Sequence, residues 1–165
     1  MGLAGILLAS GRPIQFFSEP ISDTDVARFG FVRGSPDGQQ VWESLAALIA
    51  IRLWKHTWAS GTSTLMVKGD SVTMLTLVVN MRPASASLAL IGQELALDFA
   101  SAAFAPIITQ HIPGVANVLA DKLSRRMQAG YDPKIPSQLS DAKLVYPPDR
   151  NDSYFLTLQT QMPNK

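Results

Sequence analysis

The chain contains no cysteine, which excludes a disulfide framework, a thiolate metal site and a cysteine nucleophile. Charge is also scarce. Asp, Glu, Lys and Arg make up 16% of the residues, and the formal net charge is only +1. Non-specific polyanion binders usually carry a basic excess or basic clusters, and neither is present. Any nucleic-acid contact is therefore expected to be local or supported by another domain. Long apolar runs are missing too. The longest stretch without a carboxylate, Lys or Arg, Phe99 to Ala120, is broken by Pro106, Gln110, His111, Pro113, Gly114 and Asn117, which predicts no membrane span. The apolar start, Met1 to Ala9, lacks the basic flank of a secretory signal. Ile6 stands where a myristoylation signal wants Ser or Thr. This start reads as a buried strand, and an intracellular location is expected, with the compartment open.

At 165 residues and 47% hydrophobic, the chain is long enough for one domain with a substantial core. Leu3 to Leu8 reads as a strand, Ser10-Gly11-Arg12-Pro13 as a turn and Ile14 to Phe17 as the antiparallel partner. A polar segment, Ser18 to Gly34, follows, with a possible short strand at Phe29 to Arg33. Ser35-Pro36-Asp37 resembles a helix entry, with a capping hydroxyl, a first-position proline and an acid near the positive helix end. The helix runs to about Trp54, with apolar residues around so much of its circumference that cover on more than one side is expected. Thr64 to Val67 reads as a strand, and Gly69-Asp70-Ser71 leads into a helix to Met81 that Arg82-Pro83 stops. A further helix begins at Ser85 or Ser87 and ends near Ala102. Phe104 to Gln110 reads as a strand, and Asn117 caps a helix to about Met127. Residues 1–127 are expected to form the domain. Residues 128–165, rich in proline and polar side chains, are expected to form an irregular tail packed in part through Tyr154-Phe155-Leu156. The order predicts an α/β fold with a mixed sheet flanked by helices.

Four side chains stand out. Glu43, Asp70 and Asp121 come from three different elements, and Asp70 follows a strand, where sites form in such sheets. Mg²⁺ prefers oxygen ligands and keeps several waters, so a few convergent carboxylates are enough to hold it. Paired cations can stabilise both the attacking and the leaving oxygen of a phosphoryl displacement. His111 ends a strand before Ile-Pro-Gly, a position suited to proton handling or product release. Each has a structural alternative. Asp121 could simply meet a helix dipole, Asp70 could cap the next helix, Glu43 could flank a solvated face and His111 could merely be exposed. Glu94 and Asp98, spaced i,i+4, read as a solvated face. His56, beside Lys55 and two tryptophans, reads as an ordinary helix-end cation, although the aromatics could also contact a nucleic-acid strand.

Taken in order, His111-Ile-Pro-Gly and Asn117-Val-Leu-Ala-Asp121-Lys-Leu-Ser-Arg125 resemble the closing motif of the ribonuclease H-like domain attached to retrotransposon reverse transcriptases. Trp42-Glu43-Ser44-Leu45-Ala46 is similar to that family's acid-bearing helix, and Val67-Lys68-Gly69-Asp70-Ser71 to its strand-end aspartate. Gly2 to Leu7 looks like the middle of its first strand. The resemblance implies a ribonuclease H-like fold with an N-terminally truncated first strand. It also implies metal-dependent hydrolysis of the RNA strand of an RNA–DNA hybrid. Glu43, Asp70 and Asp121 would ligate Mg²⁺ or Mn²⁺, His111 would be an accessory proton or release group, and an adjoining reverse transcriptase domain would be a partner. By that alignment the family's first aspartate would precede Met1, and the first acid here is Glu19. The alternative is an inactive ribonuclease H-like remnant serving as a nucleic-acid-binding or structural module.

Overall fold

The computed structural model describes residues 2–59, 64–102, 107–128 and 130–159. It opens with a hairpin. β1 (Gly2–Ala9) and β2 (Arg12–Pro20) pair antiparallel, with a register shift between Leu7 and Leu8. Ser10 and Gly11 both hold positive φ, 50° and 77°, as a two-residue turn matched to strand twist requires. Alternation along the hairpin divides two cores. Leu3 and Phe17 enter the main core, while Phe16 meets Leu123 and Leu139 on the opposite face, with Ala4 and Ile6 packed against them.

The segment expected to be polar, with a short strand at Phe29 to Arg33, instead contains a helix, α1 (Asp23–Phe29). Its signals are local. Ser22 and Asp25 form a reciprocal capping box, and Gly30 closes the helix in the left-handed region at φ 74°. A strand pattern loses to this pair of caps. Pro36–Gly38 forms a 3₁₀ turn in which Ser35 makes no side-chain cap, and α2 (Gln39–Leu53) follows. Val41, Trp42, Leu45, Leu48, Ile49 and Ile51 are buried on α2, which packs against β1, α4 (Val72–Asn80) and α5 (Ala89–Ala100). A single turn, α3 (Lys55–Trp58), continues from it.

β3 (Leu65–Gly69) and β4 (Ile107–His111) pair in parallel, with Gly69 opposite His111. The expected strand residues Phe104 to Pro106 lie outside the described residues. α6 (Val118–Arg125) lies against β1 and β2. Leu123 is buried beneath it, and the Ser18 hydroxyl donates to the Leu123 carbonyl at 2.7 Å. Gly2 permits this close approach, because a Cβ there would stand 2.6 Å from the Glu19 carbonyl oxygen and 2.8 Å from that of Ser124.

The segment from residue 130 has few regular elements and is largely exposed, but it is anchored by buried Leu139, Arg150, Tyr154 and Phe155. β5 (Lys143–Leu144) adds in parallel to β2, making β1-β2-β5 a mixed sheet. Tyr154 and Phe155 enter the main core, and α7 (Leu156–Gln159) packs on α5. Among the described residues no helix is long and apolar enough to cross a membrane.

Two ionic clusters pin this segment. Arg150 donates to both oxygens of fully buried Asp25, at 2.9 and 2.7 Å, and also pairs with Glu19. Glu94 and Asp98 overturn the expectation of a solvated face. Both are buried, and Arg52 of α2 donates to Glu94 at 2.7 Å and to Asp98 at 2.8 Å. Glu94 also accepts the backbone N–H groups of Leu156 and Thr157 at 2.9 and 2.7 Å, which caps the incoming α7. The i,i+4 acids tolerate each other because one guanidinium pairs with both, while two amides add to Glu94 and Lys55 adds to Asp98.

Candidate functional site

Parallel pairing of β3 with β4 brings two candidates to one edge. Asp70 directly follows Gly69, and the Gly69 carbonyl accepts the Ile112 N–H at 2.9 Å, so the loop after His111 begins alongside it. Ser71, not Asp70, caps α4, accepting the Met74 N–H at 3.2 Å. That frees the Asp70 carboxylate from the structural duty its position allowed, and the residue is exposed.

What holds Asp70 is Asn117, whose side-chain amide donates to Oδ1 at 3.0 Å. Sequence reasoning assigned Asn117 to capping α6, but its side chain makes no cap hydrogen bond. A carboxylate acceptor gives a charge-assisted bond, roughly twice as strong as one to a neutral group, and that explains the change of partner. The other oxygen, Oδ2, faces Gly114, where a Cβ would come within 3.4 Å. The Asn117 carbonyl in turn accepts the Asp121 N–H at 3.1 Å. A continuous hydrogen-bonded path thus joins Asp70 to the first turn of α6.

Asp121 is half exposed and paired with Arg125 one turn on, Oδ1 to Nε at 2.6 Å. Arg125 also donates to the Tyr131 hydroxyl at 2.8 Å. The Asp121 hydrogen bond, followed by that of Tyr131, lifts the Arg125 guanidinium above its ordinary value. His111 is exposed at the end of β4 and lines a shallow cleft of about 320 Å³ with Val72, Leu75 and Val79 of α4.

Glu43 is not joined to this group. It lies half-buried on α2, accepts from the Gln39 side-chain amide at 2.7 Å, and makes no hydrogen bond or ion pair with Asp70, Asp121 or His111. Among the described residues no three His, Cys, Asp or Glu side chains stand together as a metal-holding group. The donors themselves are hard carboxylate oxygens, the type that Mg²⁺ or Mn²⁺ prefers, but Glu43 is not brought together with Asp70 and Asp121. Sequence reasoning missed Arg125 and Tyr131 as neighbours of Asp121. The i,i+4 spacing of Asp121 and Arg125 was a readable signal, whereas nothing local ties Tyr131 to that helix.

No family model, no curated protein and no solved structure matches the chain.

Proposed function

We propose that this chain is a ribonuclease H-like domain of retroelement origin, which hydrolyses the RNA strand of an RNA–DNA hybrid with divalent metal. The observation that carries this reading is the path Asp70–Asn117–Asp121 at the carboxyl edge of two parallel strands, beside His111. It ties together the two elements that bear the family-like motifs, from positions 47 residues apart in the chain. The coarser ground is a mixed α/β fold in which helices pack on a three-stranded mixed sheet, β1-β2-β5, and on the separate parallel pair β3-β4.

Asp70 and Asp121 would hold Mg²⁺ or Mn²⁺ without the contact to Glu43 that the resemblance implies, and a bound ion would activate water and neutralise charge developing on the phosphate. The protein's own contributions are distinct. Asn117 fixes one oxygen of Asp70 and leaves the second directed towards Gly114, where the absence of a side chain keeps space open. Arg125 neutralises Asp121 and competes with any cation for it. His111, exposed at the strand end, is positioned to give or take a proton at the rim. Hybrid recognition would depend on backbone shape and 2′-hydroxyls, with no base preference.

Titrating Mg²⁺ against the chain with a labelled hybrid tests this directly. Cleavage should appear at millimolar metal, spare the DNA strand, and fall at least about 100-fold in Asp70→Asn. Hybrid binding without cleavage would instead assign the inactive binding module. Cleavage unchanged in Asp70→Asn would overturn the site.

A further inference from the structure

We propose that the cleft between α6 and the loop from Tyr131 to Ser137 is a subsite for one strand of a nucleic acid, seating a backbone phosphate between Lys122 and Lys134 and a base against the Tyr131 ring. The ribonuclease H-like reading supplies only the ligand's identity, an RNA–DNA hybrid; the site stands on its own geometry. The cleft is open and measures about 470 Å³, and Lys122, Arg125, Tyr131, Lys134 and Ile135 line it together with Asp121.

Three features point to a nucleotide strand. Lys122 and Lys134 are exposed, and among the described residues neither makes an ion pair. Two carboxylates stand beside them, Asp121 paired with Arg125 and Asp132 accepting the Lys134 backbone N–H at 3.0 Å. Lys122, Arg125 and Lys134 against these two acids leave the cleft one positive charge in excess. Tyr131 is 47% exposed, yet its ring is anchored, with its hydroxyl on Arg125 and that guanidinium 5.4 Å from the ring centroid. A fixed, solvent-facing aromatic beside unpaired cations is the combination that single strands use, one group for the base face and the other for the phosphate. Free phosphate or an acidic peptide would engage the lysines without needing the ring. Because Asp121 lines the same cleft, a strand held here leads to the carboxylate edge.

Fluorescence anisotropy of a labelled RNA–DNA hybrid on the full chain, in EDTA and across a salt series, tests this without relying on catalysis. Replacing both lysines (Lys122→Ala with Lys134→Ala) should weaken binding at least about ten-fold at low salt and reduce the log–log salt slope by about two. Tyr131→Leu should weaken binding about five-fold or more with the slope unchanged, because stacking carries no counterion release. Tyr131→Phe should retain most of the affinity. Lys68→Ala, an exposed lysine on β3 outside the cleft, should bind like the parent, and circular dichroism should show all variants folded. Parental affinity in the double-lysine variant would overturn the proposal. So would an equal loss in Lys68→Ala, or a parent that binds no hybrid. Parallel cleavage assays separate the two readings. A parent that binds through these residues but never cleaves keeps the subsite and loses the nuclease. A parent that cleaves while every variant binds normally loses only the subsite.

Discussion

Inside the helical layer, Arg52 faces Glu94 and Asp98 with both carboxylates shut off from solvent, whereas Asp70 after β3 and Asp121 on α6 hold single side-chain partners and face solvent. The interior acids are saturated with donors. Glu94 alone takes a guanidinium and two backbone amides. Each solvent-facing acid takes one side-chain donor and keeps oxygen valence to spare. A buried carboxylate persists only when its partners offset the loss of water, so its role is to hold elements together. An exposed carboxylate with unfilled valence carries no such duty and is available to a ligand. Among this chain's acids, partner number and burial mark those that hold the scaffold together.

Removing an interior partner is the strongest way to break that contrast. Arg150→Ala leaves the fully buried Asp25 charge with only its Ser22 cap and should cost roughly 3–5 kcal/mol in urea unfolding, and Arg52→Ala should cost a similar amount. A loss under about 1 kcal/mol in either would mean that the interior acids are not structural anchors. Asp70→Asn should do the reverse. Its urea midpoint should shift by no more than about 0.5 kcal/mol of stability, while hybrid cleavage falls about 100-fold. A comparable loss of stability would place Asp70 with the scaffold.

Acid titration sharpens the contrast further. Burial alone would raise Asp25, but hydrogen bonds and charge from Arg150, with Ser22, outweigh it and hold the carboxyl below its usual range. For Glu94, burial is likewise outweighed by Thr157, Arg52 and Leu156. Groups depressed on folding contribute stability that is complete above their unfolded values, about pH 4, and is lost as pH falls through the folded values. Glu19 works the other way. Burial holds it above its ordinary value despite Arg150, so its contribution is present below that value and fades as pH rises. Urea midpoints should therefore drop as pH falls below about 4, and the drop should be shallower in Arg150→Ala. An identical slope in parent and variant would remove Asp25 as the source.

The smallest effect is expected at Asn117. Its bond to Asp70 is exposed, so Asn117→Ala should cost about 1 kcal/mol or less of stability. The Mg²⁺ concentration for half-maximal cleavage should rise several-fold, because Asp70 loses the group that orients it. An unchanged metal requirement would make Asn117 a mere surface contact.

Much of the scaffold was legible in the residues. The hairpin, α2, β3, α4 and the lead into α6 follow from apolar period, caps and proline stops. α1 was missed even though its evidence was local, because the Ser22–Asp25 capping box sits among polar residues that read as loop. The partner of Asp70 was missed for another reason. Asn117 precedes a helix, and capping is its commonest use there. Only the return of β4 beside β3 offers it a charged acceptor instead. Glu94 and Asp98 could not have been placed from spacing, since an i,i+4 pair looks the same whether that helix face turns outward or inward.

The sequence by itself determined the local elements, because turns, caps and helix stops depend on interactions within a few residues. The Ser10-Gly11 turn and the apolar circumference of α2 are of that kind. Tertiary structure alone decided which carboxylates are saturated and which stay open. Arg52 arrives from α2, Arg150 and α7 from the far end of the chain, and Asn117 from beyond β4. A carboxylate's chemistry is set by the donors and solvent around it, and here those come from residues up to 131 positions away in the chain.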